Sequence, residues 1–208
     1  MGIGPPQTGV AQLTALVQEV KTSMEQLVAT QNTRALYVQA ADQSVTGTTA
    51  LTLLNQTANN FKGGLTVPLE ILNKGLVITL EVRGTLQADL LAQTLTLVLR
   101  LGSTVVNTLT IPGLVNLATG RRFTLESTIV VQEPGATGRV RGHSVISYNT
   151  IISGVPAVGE FSVDNSADTP TNINLTTPQA LSLTAAWSSA SATNRITSTV
   201  GVLRVTNL

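Results

Sequence analysis

Side chains that could perform acid–base or metal chemistry are few in this sequence. His143 is the only histidine, and the chain has no cysteine. A two-histidine metal site, a thiol nucleophile and cysteine-ligated zinc are therefore excluded. A Ser-His triad would depend on His143 alone, and neither Ser144 nor Ser147 lies in a Gly-x-Ser-x-Gly motif. We expect His143 to be a polar residue at a surface or a subunit contact.

The carboxylates are scattered along the chain. A glycosidase needs two carboxyl groups that converge on one cleft. No motif pairs the candidates, which are Glu70, Glu81, Asp89, Glu126, Glu133 and Glu160. Residues 164–168 lack the regular oxygen ligands and terminal Glu of an EF-hand loop, and no Gly-rich phosphate-binding motif occurs. The sequence predicts that the protein is not an enzyme and has no catalytic residue, cofactor or metal.

The chain carries little charge for its length. Only 11% of its 208 residues are charged, against about 25% in typical soluble domains. A formal net charge of +1 offers no electrostatic attraction for nucleic acid or for an anionic membrane surface. The charge-free stretch of residues 101–120 has the length of a membrane span, but it contains Asn, Pro and Gly, which predicts strands and turns and no membrane span. We expect neither nucleic acid nor membrane as a partner.

Apolar residues near the N-terminus recur at alternating spacings of three and four. This spacing predicts a helix from about residue 9 to about residue 35, with Thr8 as its N-cap. The same residues form a heptad, with Val10, Val17, Met24 and Gln31 at a and Leu13, Val20 and Leu27 at d. Because the apolar stripe is narrow, it favours a short coiled coil over packing on the chain's own β domain, which is the alternative. The heptad alone does not fix the number of strands.

From Ser44 onward, alternation with a period of two replaces the helical period. Residues 76–83, 94–101 and 123–131 each place apolar side chains on one face and mainly polar ones on the other. Breaks containing Gly or Pro separate about eight or nine such strands, as in a two-sheet sandwich. The predicted fold class is mainly β, an antiparallel β-sandwich of the jelly-roll type preceded by an N-terminal α-helix. We divide the chain into an arm, residues 1–40, and a jelly-roll β domain, residues 44–208.

The strand pattern also predicts local pairing. Residues 102 and 103 have the length of a two-residue hairpin loop. In a later hairpin, a four-residue turn would set Glu133 opposite Gly138 and His143 on the outward face. The inward pairs would then be Val131/Val140, Leu125/Ile146 and Phe123/Tyr148. Trp187 continues another inward row, so we expect it in the core.

Four segments follow one another in an order with a known parallel. They are the heptad helix, Val45-Thr-Gly-Thr-Thr-Ala50, the strand that ends in Leu-Arg-Leu-Gly102, and Leu183-Thr-Ala-Ala-Trp187 running through Asn194 into the last strand. Together they resemble the small jelly-roll proteins displayed on tailed-bacteriophage particles as capsid decoration proteins, head fibres or short tail-fibre tips. The likeness spans most of residues 45–208, and it lies in style and strand order without a catalytic motif.

The resemblance implies a homotrimer on the virion surface. Residues 1–40 would attach it to another virion protein, either the major capsid protein or a tail or baseplate component, and the heptad would have three strands. Outward aliphatic residues would be buried against sister subunits, and the candidates are Val77, Val98, Val130 and Val145. The alternative is a receptor-binding tip that recognises a host-surface glycan or protein. Such a tip predicts a concave polar site with exposed aromatic residues, for which Tyr37, Tyr148 and Phe161 are available.

Overall fold

The described part of the chain folds into one short helix and fourteen strands. The computed structural model describes residues 13–23, 33–47, 51–52, 61–63, 65–68, 71–89, 92–114, 120–151, 158–166 and 169–207. The helix, α1, spans residues 13–23. The strands are β1 (Thr33–Gln39), β2 (Gln43–Thr46), β3 (Leu51–Thr52), β4 (Phe61–Gly63), β5 (Thr66–Val67), β6 (Val77–Gln87), β7 (Gln93–Leu101), β8 (Thr104–Leu114), β9 (Arg121–Glu133), β10 (Gly138–Ile151), β11 (Val158–Ser166), β12 (Thr171–Ile173), β13 (Gln179–Trp187) and β14 (Arg195–Thr206).

These strands form two antiparallel sheets that pack face to face. The large sheet has the order β11-β10-β9-β6-β14-β1-β4, with β12 on β10 and β2 on β14. The small sheet has the order β3-β13-β7-β8, with β5 on β13. Each sheet contains one pair that joins the middle of the chain to its end, β6 with β14 and β7 with β13. The predicted fold class, a mainly β chain forming an antiparallel sandwich, is confirmed.

One hydrophobic core fills the space between the sheets. The apolar residues predicted to point inward are buried: Leu76, Ile78, Leu80, Val82, Leu95, Leu97, Leu99, Leu101, Phe123, Leu125, Ile129, Val131, Leu181, Leu183 and Ala185. Trp187 is also in the core, as predicted. Because each buried Leu, Ile, Val or Phe side chain contributes about 1.5–3 kcal/mol, this alternation supplies most of the driving force for folding.

The β9–β10 hairpin confirms the predicted inward pairs and corrects the turn. Val140 lies opposite Val131, Ile146 opposite Leu125, and Tyr148 opposite Phe123. Glu133 lies opposite Arg139, however, so the prediction that it faces Gly138 is wrong. The register shifts between Arg139 and Val140, and this shift lets the Arg139 guanidinium donate two hydrogen bonds to the Glu133 carboxylate. The two-residue loop is confirmed, because Leu101 lies opposite Thr104.

The predicted end of the helix is wrong. Residues 33–35, which the heptad assigned to the helix, belong to β1, which pairs with β14 on one side and β4 on the other. This pairing satisfies the backbone polar groups and buries Tyr37 completely, and both gains override the local helical pattern. Residues 33–39 of the predicted arm are thus part of the large sheet.

Two serine hydroxyls interrupt the core. Ser127 on β9 lies opposite Ser144 on β10, and each is only 2% exposed. Both line a narrow gap between the sheets beside Leu97, Leu125 and Leu183, and neither hydroxyl has a hydrogen-bond partner among the residues that the structure describes. A buried hydroxyl without a partner costs about 1–3 kcal/mol, so these positions lower the stability of the fold.

Replacing one of these hydroxyls by hydrogen should stabilise the protein. We predict that Ser127→Ala raises the free energy of unfolding by about 1 kcal/mol, measured by urea denaturation at one protein concentration. The matched control is Ser198→Ala, because the buried Ser198 hydroxyl donates a hydrogen bond to Gln39 Oε1 and its loss should be destabilising. A destabilised Ser127→Ala variant would show that its hydroxyl has a partner in the folded protein.

Candidate functional site

Helix α1 presents an apolar stripe to solvent. Leu13, Leu16, Val17 and Val20 are 63%, 57%, 60% and 51% exposed, and every other residue of α1 is exposed as well. Residues 13–23 therefore bury no side chain on the sandwich, and this part of the predicted helix gives no support to the alternative of packing on its own domain. The spacing of these residues places them on one side of the helix, as a partner helix requires.

The structure describes part of the predicted coiled-coil set. Leu13, Val17 and Val20 share the exposed stripe, and Leu16 widens it at the neighbouring position. The other predicted members lie outside the described residues: Val10, Met24, Leu27 and Gln31. The coiled coil itself stays a prediction.

Charged side chains gather on the outer face of the large sheet. They are Glu81, Arg83, Arg122, Glu126, Arg139, Arg141, Asp164, Arg195 and Arg204. Glu81 is the centre of one cluster, because Arg83 Nη2 and Arg204 Nη1 lie 2.6 and 3.3 Å from its carboxylate oxygens. Glu126 lies opposite Glu81 on the neighbouring strand, so two carboxylates are adjacent on this face.

The outer face of the small sheet is nearly uncharged. Its described outward residues on β7, β8 and β13 include Thr94, Thr96, Val98, Arg100, Val105, Thr108, Thr110, Ser182, Thr184 and Ala186. Arg100 is the one charged residue among them, and its Nη1 donates to Thr184 Oγ1 at 3.0 Å. The two sheets thus turn chemically different faces outward.

The four outward valines divide between these faces. Val77, Val98, Val130 and Val145 are each half-buried on an outer face, which confirms the predicted direction of their side chains. Val98 lies on the uncharged small sheet, and the other three lie among the charges of the large sheet. Their burial against sister subunits stays a prediction.

His143 forms a surface pair and, among the residues that the structure describes, no catalytic triad. Its Nε2 lies 2.9 Å from Asp164 Oδ1 across the β10–β11 pair, and both side chains are about half exposed. The neighbouring Ser144 hydroxyl points into the core, away from the imidazole. Within the described ranges, no three His, Asp or Glu side chains are placed to hold a metal ion. The outward position predicted for His143 is confirmed.

One end of the sandwich carries an open concavity of about 370 Å³. It is lined by Thr104, Ala136, Thr137, Asn172, Ile173 and Asn174. Tyr37 and Tyr148, two of the aromatic residues considered for a receptor-binding tip, are buried in the core instead, and burial raises the pKa of both phenols. The side chain of Phe161 lies outside what the structure describes.

Buried amides position the loop that follows Trp187. Asn194 is fully buried, and its Nδ2 donates to Gln93 Oε1 at 3.1 Å while its Oδ1 accepts from the Asp89 backbone N–H at 2.9 Å. Ser189 Oγ donates to the same Gln93 oxygen. One signal of this network is present in the sequence: Gln93 continues the inward row of Leu95 to Leu101, and a polar residue at such a position indicates a buried hydrogen bond.

A second amide pair joins the two sheets. Asn107 Nδ2 on β8 donates to the Asn165 backbone carbonyl on β11 at 2.8 Å. Asn165 Nδ2 donates in return to Asn107 Oδ1 at 2.9 Å. These reciprocal bonds tie β8, an edge strand of the small sheet, to β11, an edge strand of the large sheet. The sequence carried no signal for this pair, because its members are distant along the chain.

Comparisons with known proteins give distant structural similarity. No protein-family model and no curated protein sequence matches this chain. It is similar to the solved CBM2 module of the evolved Dit of Lactobacillus casei BL23 phage J-1. The TM-score is 0.35, the identity is 10%, and 85% of this chain and 97% of that chain are covered.

The chain is also similar to the solved VP2 subviral particle of infectious bursal disease virus. Here the TM-score is 0.30, the identity is 15%, and 84% of this chain and 33% of that chain are covered. Both solved structures come from a phage or a virus. TM-scores this low assign neither a fold family nor a function. No described helix is long and apolar enough to cross a membrane.

The Glu133–Arg139 pair makes a pH-dependent contribution at the β9–β10 turn. The hydrogen bond from Arg139 is the main cause that holds the pKa of Glu133 below its ordinary value, and burial opposes it. A lowered folded-state pKa means that the stabilisation is complete above the ordinary Glu pKa and is lost as the pH falls through the folded-state pKa.

Removing the guanidinium should reverse this shift. We predict that Arg139→Met raises the pKa of Glu133 toward its ordinary value, measured by NMR titration of the side-chain carboxyl. Arg122→Met is the control, because Arg122 lies at the far end of the same hairpin. An unchanged Glu133 pKa in Arg139→Met would contradict the pairing.

Proposed function

We propose that this chain is a structural virion protein of a tailed bacteriophage. In this proposal it is a homotrimeric capsid decoration or head-fibre protein that displays its sandwich on the particle surface. The observation that carries the proposal is the apolar stripe of α1, which stays in water in the single chain. The order of sequence segments resembles that of such phage proteins. This resemblance is the basis for proposing a virion as the location and three as the number of subunits.

The stripe favours association because apolar side chains have a higher free energy in water than in a buried contact. Full burial of a Leu or Val side chain gains about 1.5–3 kcal/mol, so a partner that covers Leu13, Val17 and Val20 gains several kcal/mol. An isolated helix of this length is marginal in water, so the helices need neighbours to hold them. Contacts between the attached sandwiches would add to the association.

Attachment is assigned to residues 1–40. The partner in this proposal is the major capsid protein or a tail or baseplate component, and the role of the protein is mechanical and adhesive. No nucleic acid, membrane or cofactor enters the proposal, and we expect no enzymatic activity. The rigid sandwich would then project from the particle.

A receptor-binding tip is the second candidate. The open, uncharged concavity at one end of the sandwich favours it, because hydroxyl and amide groups there could bind a host-surface glycan. The burial of Tyr37 and Tyr148 counts against it, because aromatic side chains are the usual platforms for sugar rings. We therefore rank decoration first.

Charges placed in the stripe should dissociate the assembly. The variant Val17→Asp/Val20→Asp is predicted to sediment as a monomer at micromolar concentration, with at least a tenfold loss of association. Its β-type circular dichroism should be retained, because α1 buries nothing on the sandwich. The control Ala15→Asp/Gln18→Asp adds the same charge outside the a and d positions and should stay associated. A double variant in the stripe that remains a trimer would contradict the proposal.

Copy number on the particle separates the two candidate roles. Decoration predicts on the order of hundreds of copies per virion, because the capsid lattice repeats its attachment sites. Quantitative mass spectrometry of purified particles, referenced to the major capsid protein, measures this number. Only a few copies would indicate a tail tip, and absence from purified particles would exclude both roles.

A further inference from the structure

We infer that the nearly uncharged outer face of the small sheet is the surface through which the sandwiches of neighbouring copies contact one another. The inference rests on the proposed function, in that it requires an assembly of copies. The inference adds which of the two outer sheet faces is buried in the contact between sandwiches. The occupant of the face is a second copy of this chain.

The first reason is the chemistry of the face. Strand register places Thr96 beside Thr110 and Ala186, and Val98 beside Thr108 and Thr184. These side chains are short and offer methyl groups to packing, and their hydroxyls can bond across a contact. Apart from the Arg100 guanidinium, burying this surface removes no ionised group of its described outward residues from water.

The outer face of the large sheet is, by contrast, rich in charged side chains. Removing a charge from water costs several kcal/mol unless it is fully paired. Its outer face would bury Glu81 and Glu126 side by side, together with Arg83, Arg141 and Arg204. A contact there needs a partner with a matched charge pattern. The mixed-charge face is therefore suited to solvent.

The second reason concerns the identity of the occupant. Because Arg100 is the one charge among the described outward residues of this face, contact with a second copy carries little like-charge repulsion. Association of α1 would also hold the sandwiches together, because the nine residues from 24 to 32 can span at most about 32 Å. So short a connection gives the tethered sandwiches a high effective concentration, and even a weak interaction between their faces then leads to contact.

Two residues supply stronger contacts on this face. Val105 is 43% exposed and lies beside Arg100 in the β7–β8 register. The Arg100 guanidinium uses one donor on Thr184, which leaves further N–H groups for a neighbouring copy. Arginine is enriched in subunit interfaces, where it combines packing with several hydrogen bonds.

Thiol accessibility tests the inference in the full chain. Because the protein has no cysteine, a single Ser→Cys substitution gives one reporter. Ser182→Cys reports on the small-sheet face, and Ser147→Cys is the matched control, half-buried on the outer face of the large sheet. In the oligomer, maleimide should label position 182 at least tenfold more slowly than position 147. In the Val17→Asp/Val20→Asp background the two rates should agree within about twofold.

A charge substitution provides a second measurement. Thr96→Lys should weaken assembly at least tenfold in sedimentation, whereas Thr128→Lys, at a similar outward position of the large sheet, should leave it unchanged. Equal labelling rates in an oligomer would overturn the inference and leave the proposed function standing. Protection at position 182 only on virus particles would assign the face to another virion protein and would also overturn it.

The remaining outcomes separate the two proposals. One such outcome is that position 182 is protected in the free oligomer while the protein is absent from purified virions. This result would contradict the virion role and support the inference. A monomeric wild-type chain would contradict both.

Discussion

Alternation of side chains along the strands is the constraint on which the rest of the structure depends. Seven strands of nine residues or more, β6 to β10, β13 and β14, bury alternate side chains along most of their length in one shared core. The remaining side chains must point outward, and together they form two broad faces. The core therefore decides the fold, and the outward residues decide what the fold can contact.

Charge follows the same division. The chain has few charged residues, and the outer face of the large sheet holds many of those that the structure describes. The small sheet presents threonine, serine, alanine and valine with Arg100 among them. The described outward residues of β7, β8 and β13 therefore carry Arg100 as their one charge. Such a surface, joined to an exposed apolar helix, is typical of a chain that functions as part of an assembly.

The sequence predicted those features that depend on neighbouring residues. Inward rows, the Val131/Val140 pairing and the outward position of His143 all follow from a period of two. The turn beside Glu133 was wrong because the register shifts between Arg139 and Val140, an irregularity that a strict period of two does not reveal. The helix end was wrong because residues 33–35 gain more from pairing with β14 than from another helical turn.

Long-range pairing accounts for what the sequence could not predict about the candidate site. The heptad indicated the stripe of α1 directly. The uncharged face, by contrast, combines Thr96, Thr110 and Thr184 from three strands, and its existence depends on β13 pairing with β7. The Asn107–Asn165 pair is likewise formed only when the two sheets meet.

Native mass spectrometry of the full chain at micromolar concentration tests the central claim most directly. The claim is that the apolar stripe and the uncharged face are reserved for copies of the chain. It predicts a species of three times 21.7 kDa as the main form. A species of 21.7 kDa alone at that concentration would contradict it.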